Sequence, residues 1–84
     1  MLYNTYTNNY YILWDDYWRS YRINSEAAVE IALKRVPGQF LKVELYYEDG
    51  VLVYEIDIRT LNGIYEVKVA ADTGGIFKVE KELD

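Results

Sequence analysis

At Pro37-Gly38 the spacing of apolar residues changes from a helical period to strict alternation, and this change constrains the fold more than any other feature of the chain. Before it, Ala28, Val29, Ala32, Leu33 and Val36 recur at helical spacing, while Glu26, Glu30 and Lys34 stack on the opposite side. Asn24-Ser25 offers side-chain oxygens to the unpaired N–H groups of a first turn. Glu26 follows where the helix dipole favours a negative charge, and Glu30–Lys34 is an i,i+4 pair in the favourable order. Proline disfavours helical geometry at Val36. The pattern predicts one amphipathic helix over about residues 25–36.

After Pro37-Gly38 four alternating runs follow. Val43, Leu45 and Tyr47 alternate with Lys42, Glu44, Tyr46 and Glu48; Leu52, Tyr54, Ile56 and Ile58 alternate with Val53, Glu55, Asp57 and Arg59. Tyr65, Val67, Val69 and Ala71 form a third apolar set, and Phe77 and Val79 lead a more charged fourth run. Asp49-Gly50, Asn62-Gly63 and Asp72-Thr73-Gly74-Gly75 are turn sequences whose residues tolerate positive φ. Connections this short pair neighbouring strands antiparallel. One apolar sheet face and one apolar helix stripe must cover each other, which predicts an α+β fold: one amphipathic helix packed on a four-stranded antiparallel sheet. Val29, Leu33, Leu45, Tyr54, Ile56, Val67 and Val69 are the expected core.

Composition limits the chemistry. The 84 residues hold one such domain, with no cysteine and no histidine. Thiolate metal sites, thiol nucleophiles and histidine-based catalytic constellations are therefore excluded. The net charge of −5 argues against binding a nucleic-acid backbone. No apolar run approaches the ~18 residues of a membrane span. The N-terminus shows none of the three regions of a secretory signal, which leaves open whether the chain is complete or trimmed. A non-catalytic domain without cofactor or metal is expected.

The least ordinary segment is the first 22 residues, which contain eight of the fourteen aromatics yet carry no net charge. Residues 1–22 are thus set apart from a domain at 23–84. On a helical projection Tyr3, Tyr6, Tyr10, Leu13, Trp14, Tyr17 and Tyr21 share one face with Trp18 and Tyr11 at its margin, which suits a helix beginning near Asn8 or Asn9. Tyr, Thr and Ile also suit a strand. Tyr10, Trp14, Tyr17, Trp18 and Tyr21 complete the small core, form a face that contacts another protein or a second copy in a homodimer, or stack on a ligand such as a sugar ring. Tyr46, Val53 and Ile64, apolar groups on the charged outer side of the sheet, are the other candidate protein contacts. Glu44, Glu48, Asp49, Glu55, Asp57 and Glu66 lack the dense D-x-D-x-D spacing of a calcium loop and are expected to form a solvated outer face. Asp72-Thr73-Gly74-Gly75 lacks the lysine and following helix of a phosphate-binding loop and reads as a turn.

The order of these elements resembles the PepSY domain family. The resemblance rests on Ile23-Asn24-Ser25-Glu26-Ala27 followed by Ala32-Leu33-Lys34-Arg35-Val36-Pro37-Gly38, then Val43-Glu44-Leu45, Asp49-Gly50 and Val53-Tyr54-Glu55-Ile56. It closes with Tyr65-Glu66-Val67-Lys68-Val69-Ala70-Ala71-Asp72-Thr73-Gly74-Gly75-Ile76 and covers roughly residues 23–80. What it implies is a bacterial extracytoplasmic module, secreted or at the cell surface, that binds and restrains a peptidase and carries no catalytic residue or cofactor. The alternative is a structural domain that self-associates through its Tyr/Trp-rich N-terminal face.

Overall fold

A computed structural model describes residues 22–82, and among them one helix precedes four strands. The helix α1 spans Ser25–Arg35, and the strands are β1 Gln39–Glu48, β2 Val51–Thr60, β3 Gly63–Ala70 and β4 Ile76–Lys81. Asn24 caps α1: its Oδ1 accepts the Ala27 N–H at 2.8 Å, satisfying one of the free donors of the first turn. Lys34 and Arg35 lie in the last turn, where the dipole favours positive charge. The strands pair antiparallel in sequence order β1-β2-β3-β4.

Turn chemistry fixes that register. Asp49 and Gly50 have φ of 54° and 81°, the two positive values that a two-residue hairpin loop matching the strand twist requires. At the next hairpin Thr60 pairs with Gly63, so the loop is Leu61-Asn62, one residue earlier than the Asn-Gly dipeptide suggests. Gly63, at φ 124°, is the residue there that needs the positive dihedral, while Thr60 Oγ1 accepts the Asn62 N–H. Gly38 is required for a different reason. A Cβ at that position would strike the Arg59 carbonyl oxygen and Ile58 Cγ2, so the chain leaving α1 can run against β2 only without a side chain.

The core is a contact between two small helix residues and the central strands. Ala28 and Ala32 are fully buried against Tyr54, Ile56 and Ile58 of β2, Val67 and Val69 of β3, and Ala71. Val29 and Leu33, expected at the centre, flank this contact half-buried. Alanines bring the helix axis close to β2 and β3, and the larger side chains splay to either side. The edge strand is left beyond the helix: Leu45, expected to be buried, is 40% exposed. β4 brings a second correction. A register shift beside Val69 sets Ile76 opposite it and Val79 opposite Val67, so these two pack on the core and Phe77 is turned out. An irregularity of this kind flips the side chains beyond it, which alternation in the sequence cannot reveal.

Candidate functional site

Each sheet face presents a distinct surface. On the helix side, the register aligns Phe40, Val43, Leu45 and Tyr47 of β1 with the core residues of β2. The first turns of α1 overhang only part of this row. A groove of about 500 Å³ opens between them, lined by Ser25, Glu26, Val29, Glu30, Phe40 and Val43. Its floor is apolar and its helix wall carries two carboxylates. Beyond the groove the row continues uncovered through Leu45 to Tyr47, which is 72% exposed. β1 is also an edge strand, so one side of its backbone has no partner strand among the described residues.

On the outer side, the sequence-predicted contact residues divide. Tyr46 and Ile64 are half-buried. Val53 faces outward between Tyr46 and Ala70 as expected, yet it is fully buried. The register gives the reason: Lys68 lies opposite Glu55 and Glu48 opposite Val51, so the 2.7 Å ion pair from Lys68 Nζ to Glu48 Oε1 crosses β2 over Val53. Tyr46 Oη donates to the same carboxylate oxygen at 3.1 Å. Val53 is thereby closed to a partner, a correction to the expectation that it is a contact. Burial and the neighbouring Glu55 and Glu48 carboxylates push the Tyr46 phenol up to about 12. The Lys68 ammonium and the Tyr46 hydroxyl hold the Glu48 carboxyl below its usual range, and Glu48 raises Lys68 in return. Tyr10, Trp14, Tyr17, Trp18 and Tyr21 lie outside the described residues.

One constellation was weighed in the sequence as a cation site and set aside as a solvated face. Glu55 and Asp57 of β2 and Glu66 of β3 bring one carboxylate oxygen each to within 4.8 Å of one another. Asp57 lies directly opposite Glu66, and Glu55 is two residues away on the same face. Like charges that close repel by about 1 kcal/mol per pair even at the dielectric constant of water. Far from being solvated, Asp57 is 8% exposed, and its Oδ1 is buried without a hydrogen-bond partner among the described residues. Burial, then the nearby Glu82 carboxylate, raise the Asp57 carboxyl above its usual range, against the opposing pull of Lys42. The charged neighbours are Lys42 and Glu44 on β1, Arg59 on β2, and Glu80 and Glu82 beyond β3. Lys42 Nζ reaches Asp57 Oδ2 only at 4.0 Å and is itself largely exposed. The sequence signal was the pairing of Glu55-x-Asp57 with Glu66, which becomes legible once the Leu61-Asn62 turn fixes the register.

The comparisons with known proteins bear on these surfaces. The PepSY family, described as peptidase propeptide and YPEB domain, matches residues 22–80. The chain belongs to the PepSY family. That span takes in the helix, the groove, all four strands and the acidic cluster. The uncharacterized protein YkoJ of Bacillus subtilis (strain 168) is 39% identical over 59 residues, covering 69% of this chain and 35% of its own length. A crystal structure of a "putative lipoprotein" from Clostridium difficile 630 superposes with a TM-score of 0.71 at 34% identity, covering 74% of this chain and 41% of that one. The chain thus spans well under half the length of either relative. Family membership confirms the resemblance expected from the ordered motifs, and the structure confirms the α+β architecture, with one helix on a four-stranded antiparallel sheet among the described residues. No helix of the described residues is long and apolar enough to cross a membrane.

Proposed function

We propose that this chain is a non-catalytic binding module acting outside the cytoplasm, and that it restrains or regulates a peptidase by holding an extended segment of it along β1. The observation that carries this reading is the uncovered row Phe40, Leu45 and Tyr47 on an edge strand, continuous with the groove under α1. An unpaired edge supplies main-chain hydrogen bonds to an added strand, and alternate side chains of that strand find apolar pockets. Glu26 and Glu30 on the groove wall favour a segment with Lys or Arg beside its apolar anchors. Membership in a family described as peptidase propeptide supports the choice of partner, and the lipoprotein described in Clostridium difficile supports the compartment. The family is generally non-catalytic, which supports a binding role.

The test is inhibition. The full chain is titrated against extracytoplasmic metallopeptidases of the same organism, with Tyr47→Lys as the control variant. Tyr47 is exposed, so the variant is expected to keep the fold and lose affinity at least tenfold. Absence of saturable inhibition of every peptidase tested, with the chain in large excess, overturns the proposal.

A second reading is favoured by where the described chain begins. The Ile23 N–H donates to the Ala71 carbonyl at 2.7 Å, the Ala71 N–H donates to Leu52, and Leu52 pairs with Tyr47. Ala71 is therefore two strand spacings, about 10 Å, from the exposed end of the apolar row. The aromatic segment joins the described chain at Arg22, next to Ile23. Under this reading the aromatic segment occupies the row of a second copy, and the module self-associates.

A further inference from the structure

We infer that Glu55, Asp57 and Glu66 form a calcium-binding site on the outer face of the sheet. The cluster is more than a patch of negative charge. Asp57 is nine-tenths buried, and one of its carboxylate oxygens has no hydrogen-bond partner among the described residues. A buried acceptor in that state is costly unless something fills its lone pairs, so the site is incomplete as built from protein atoms alone. The cation that the register offers to Glu55 is Lys68, and Lys68 is withdrawn from it by the 2.7 Å pair with Glu48. The remaining neighbour, Lys42, touches only the other oxygen of Asp57 and stands at the exposed rim.

The ligand set favours calcium, a hard cation that takes carboxylate oxygens in irregular arrangements. Calcium binds oxygen at 2.3–2.6 Å, so two of its ligands on opposite sides are about 5 Å apart. Magnesium demands near-ideal octahedral geometry at 2.0–2.1 Å and gives up its waters reluctantly, which an open pair of strands does not enforce. Three carboxylate oxygens that all lie within 4.8 Å of one another can share one calcium ion. Its tolerance of irregular geometry suits ligands from two adjacent strands, and water completes the shell on the solvent side. With three carboxylates on an open sheet face, the expected affinity is that of weak extracellular modules, about 0.1–1 mM. The site lies on the opposite face of the sheet from the groove, so it stands or falls independently of the proposed peptidase contact.

The experiment is thermal melting of the full chain at pH 7 after chelator treatment, with calcium titrated against sodium chloride of matched ionic strength. Calorimetric titration of the same samples gives the stoichiometry. One ion per chain is expected, with a saturable rise in Tm of about 6–11 °C at ten times the dissociation constant. Asp57→Asn is expected to abolish the calcium-specific rise, and Glu66→Gln to weaken binding at least tenfold. Glu66 is only half-buried, so its variant carries the test even if Asp57→Asn does not fold. Equal melting in calcium and matched sodium chloride overturns the site, as does a wild-type calcium response in Glu66→Gln. A chain that is stabilised by mild acid but not by calcium assigns the cluster to a shared proton, and that also overturns it.

Discussion

Ala32 shows how much of this fold rests on the absence of side-chain atoms. It has no exposed surface and sits among Ile56, Val67 and their neighbours at the closest approach of helix and sheet. Ala32→Leu is expected to lower stability by about 1–3 kcal/mol, measured by denaturant unfolding, because the added methylenes force the helix off β2 and β3. Asp57 has the opposite character, a group whose charge the fold tolerates poorly. Its folded carboxyl lies above the unfolded value, so the native state binds its proton more tightly than the unfolded chain does. The unfavourable contribution is absent below the unfolded value, near pH 4, develops as pH rises through the folded value, and persists at neutrality. In chelator at pH 7, Asp57→Asn is therefore expected to melt higher than the parent chain, and the difference should shrink as the pH is lowered toward 3.5. Glu48 runs the other way, since its lowered carboxyl stabilises the fold above the unfolded value and loses that contribution in acid. Comparing the Asp57 variant with its parent at each pH isolates Asp57 from that background.

At the scale of elements, turns and caps were written locally while side-chain neighbours were not. Asn24 caps α1 and Asp49-Gly50 turns the first hairpin because each acts through its own backbone within a few residues. Val53 was placed on the correct face by alternation, but its burial depends on Glu48 and Lys68 meeting over it from β1 and β3. A contact of that kind depends on two registers at once and is not legible in any one strand. The helix is tied to the sheet by a comparably remote bond, from Tyr54 Oη to the Ile23 carbonyl at 2.8 Å. Tyr54→Phe keeps the ring in the core and removes only this bond. It is expected to cost about 1 kcal/mol in denaturant unfolding and to speed hydrogen exchange of the Ile23 amide, which is held by Ala71 beside it. Unchanged exchange at Ile23 would show that the chain leading into α1 is held by other contacts.

For the whole molecule, the question is whether residues 1–21 belong to the core or to an interface. Among the described residues, the fully buried core lies between Ala28 and Ala71, and the helix covers the sheet through it. Deleting residues 1–21 is accordingly expected to leave a domain that melts cooperatively, at a lower temperature if the segment covers the Leu45–Tyr47 row of its own chain. Light scattering of full and shortened chains over a tenfold concentration range separates the cases. A monomeric mass for both is the expected outcome and fits a module whose partner is another protein. A concentration-dependent mass in the full chain, lost on deletion while cooperative melting is retained, gives the row to a second copy and favours self-association over peptidase binding.

The sequence by itself determined the helix, its capping residue, the four strands, their antiparallel order and the inward set Tyr54, Ile56, Val67 and Val69, because these follow from periods of 3.6 and 2 and from backbone preferences within a few residues. The exposure of Leu45, the closure of Val53, the inward turn of Ile76 in place of Phe77 and the gathering of Glu55, Asp57 and Glu66 were decided by tertiary structure alone. Each depends on where one element ends relative to another, or on which residues stand opposite across strands. Those relations are fixed only when the whole sheet closes under the two alanines of the helix.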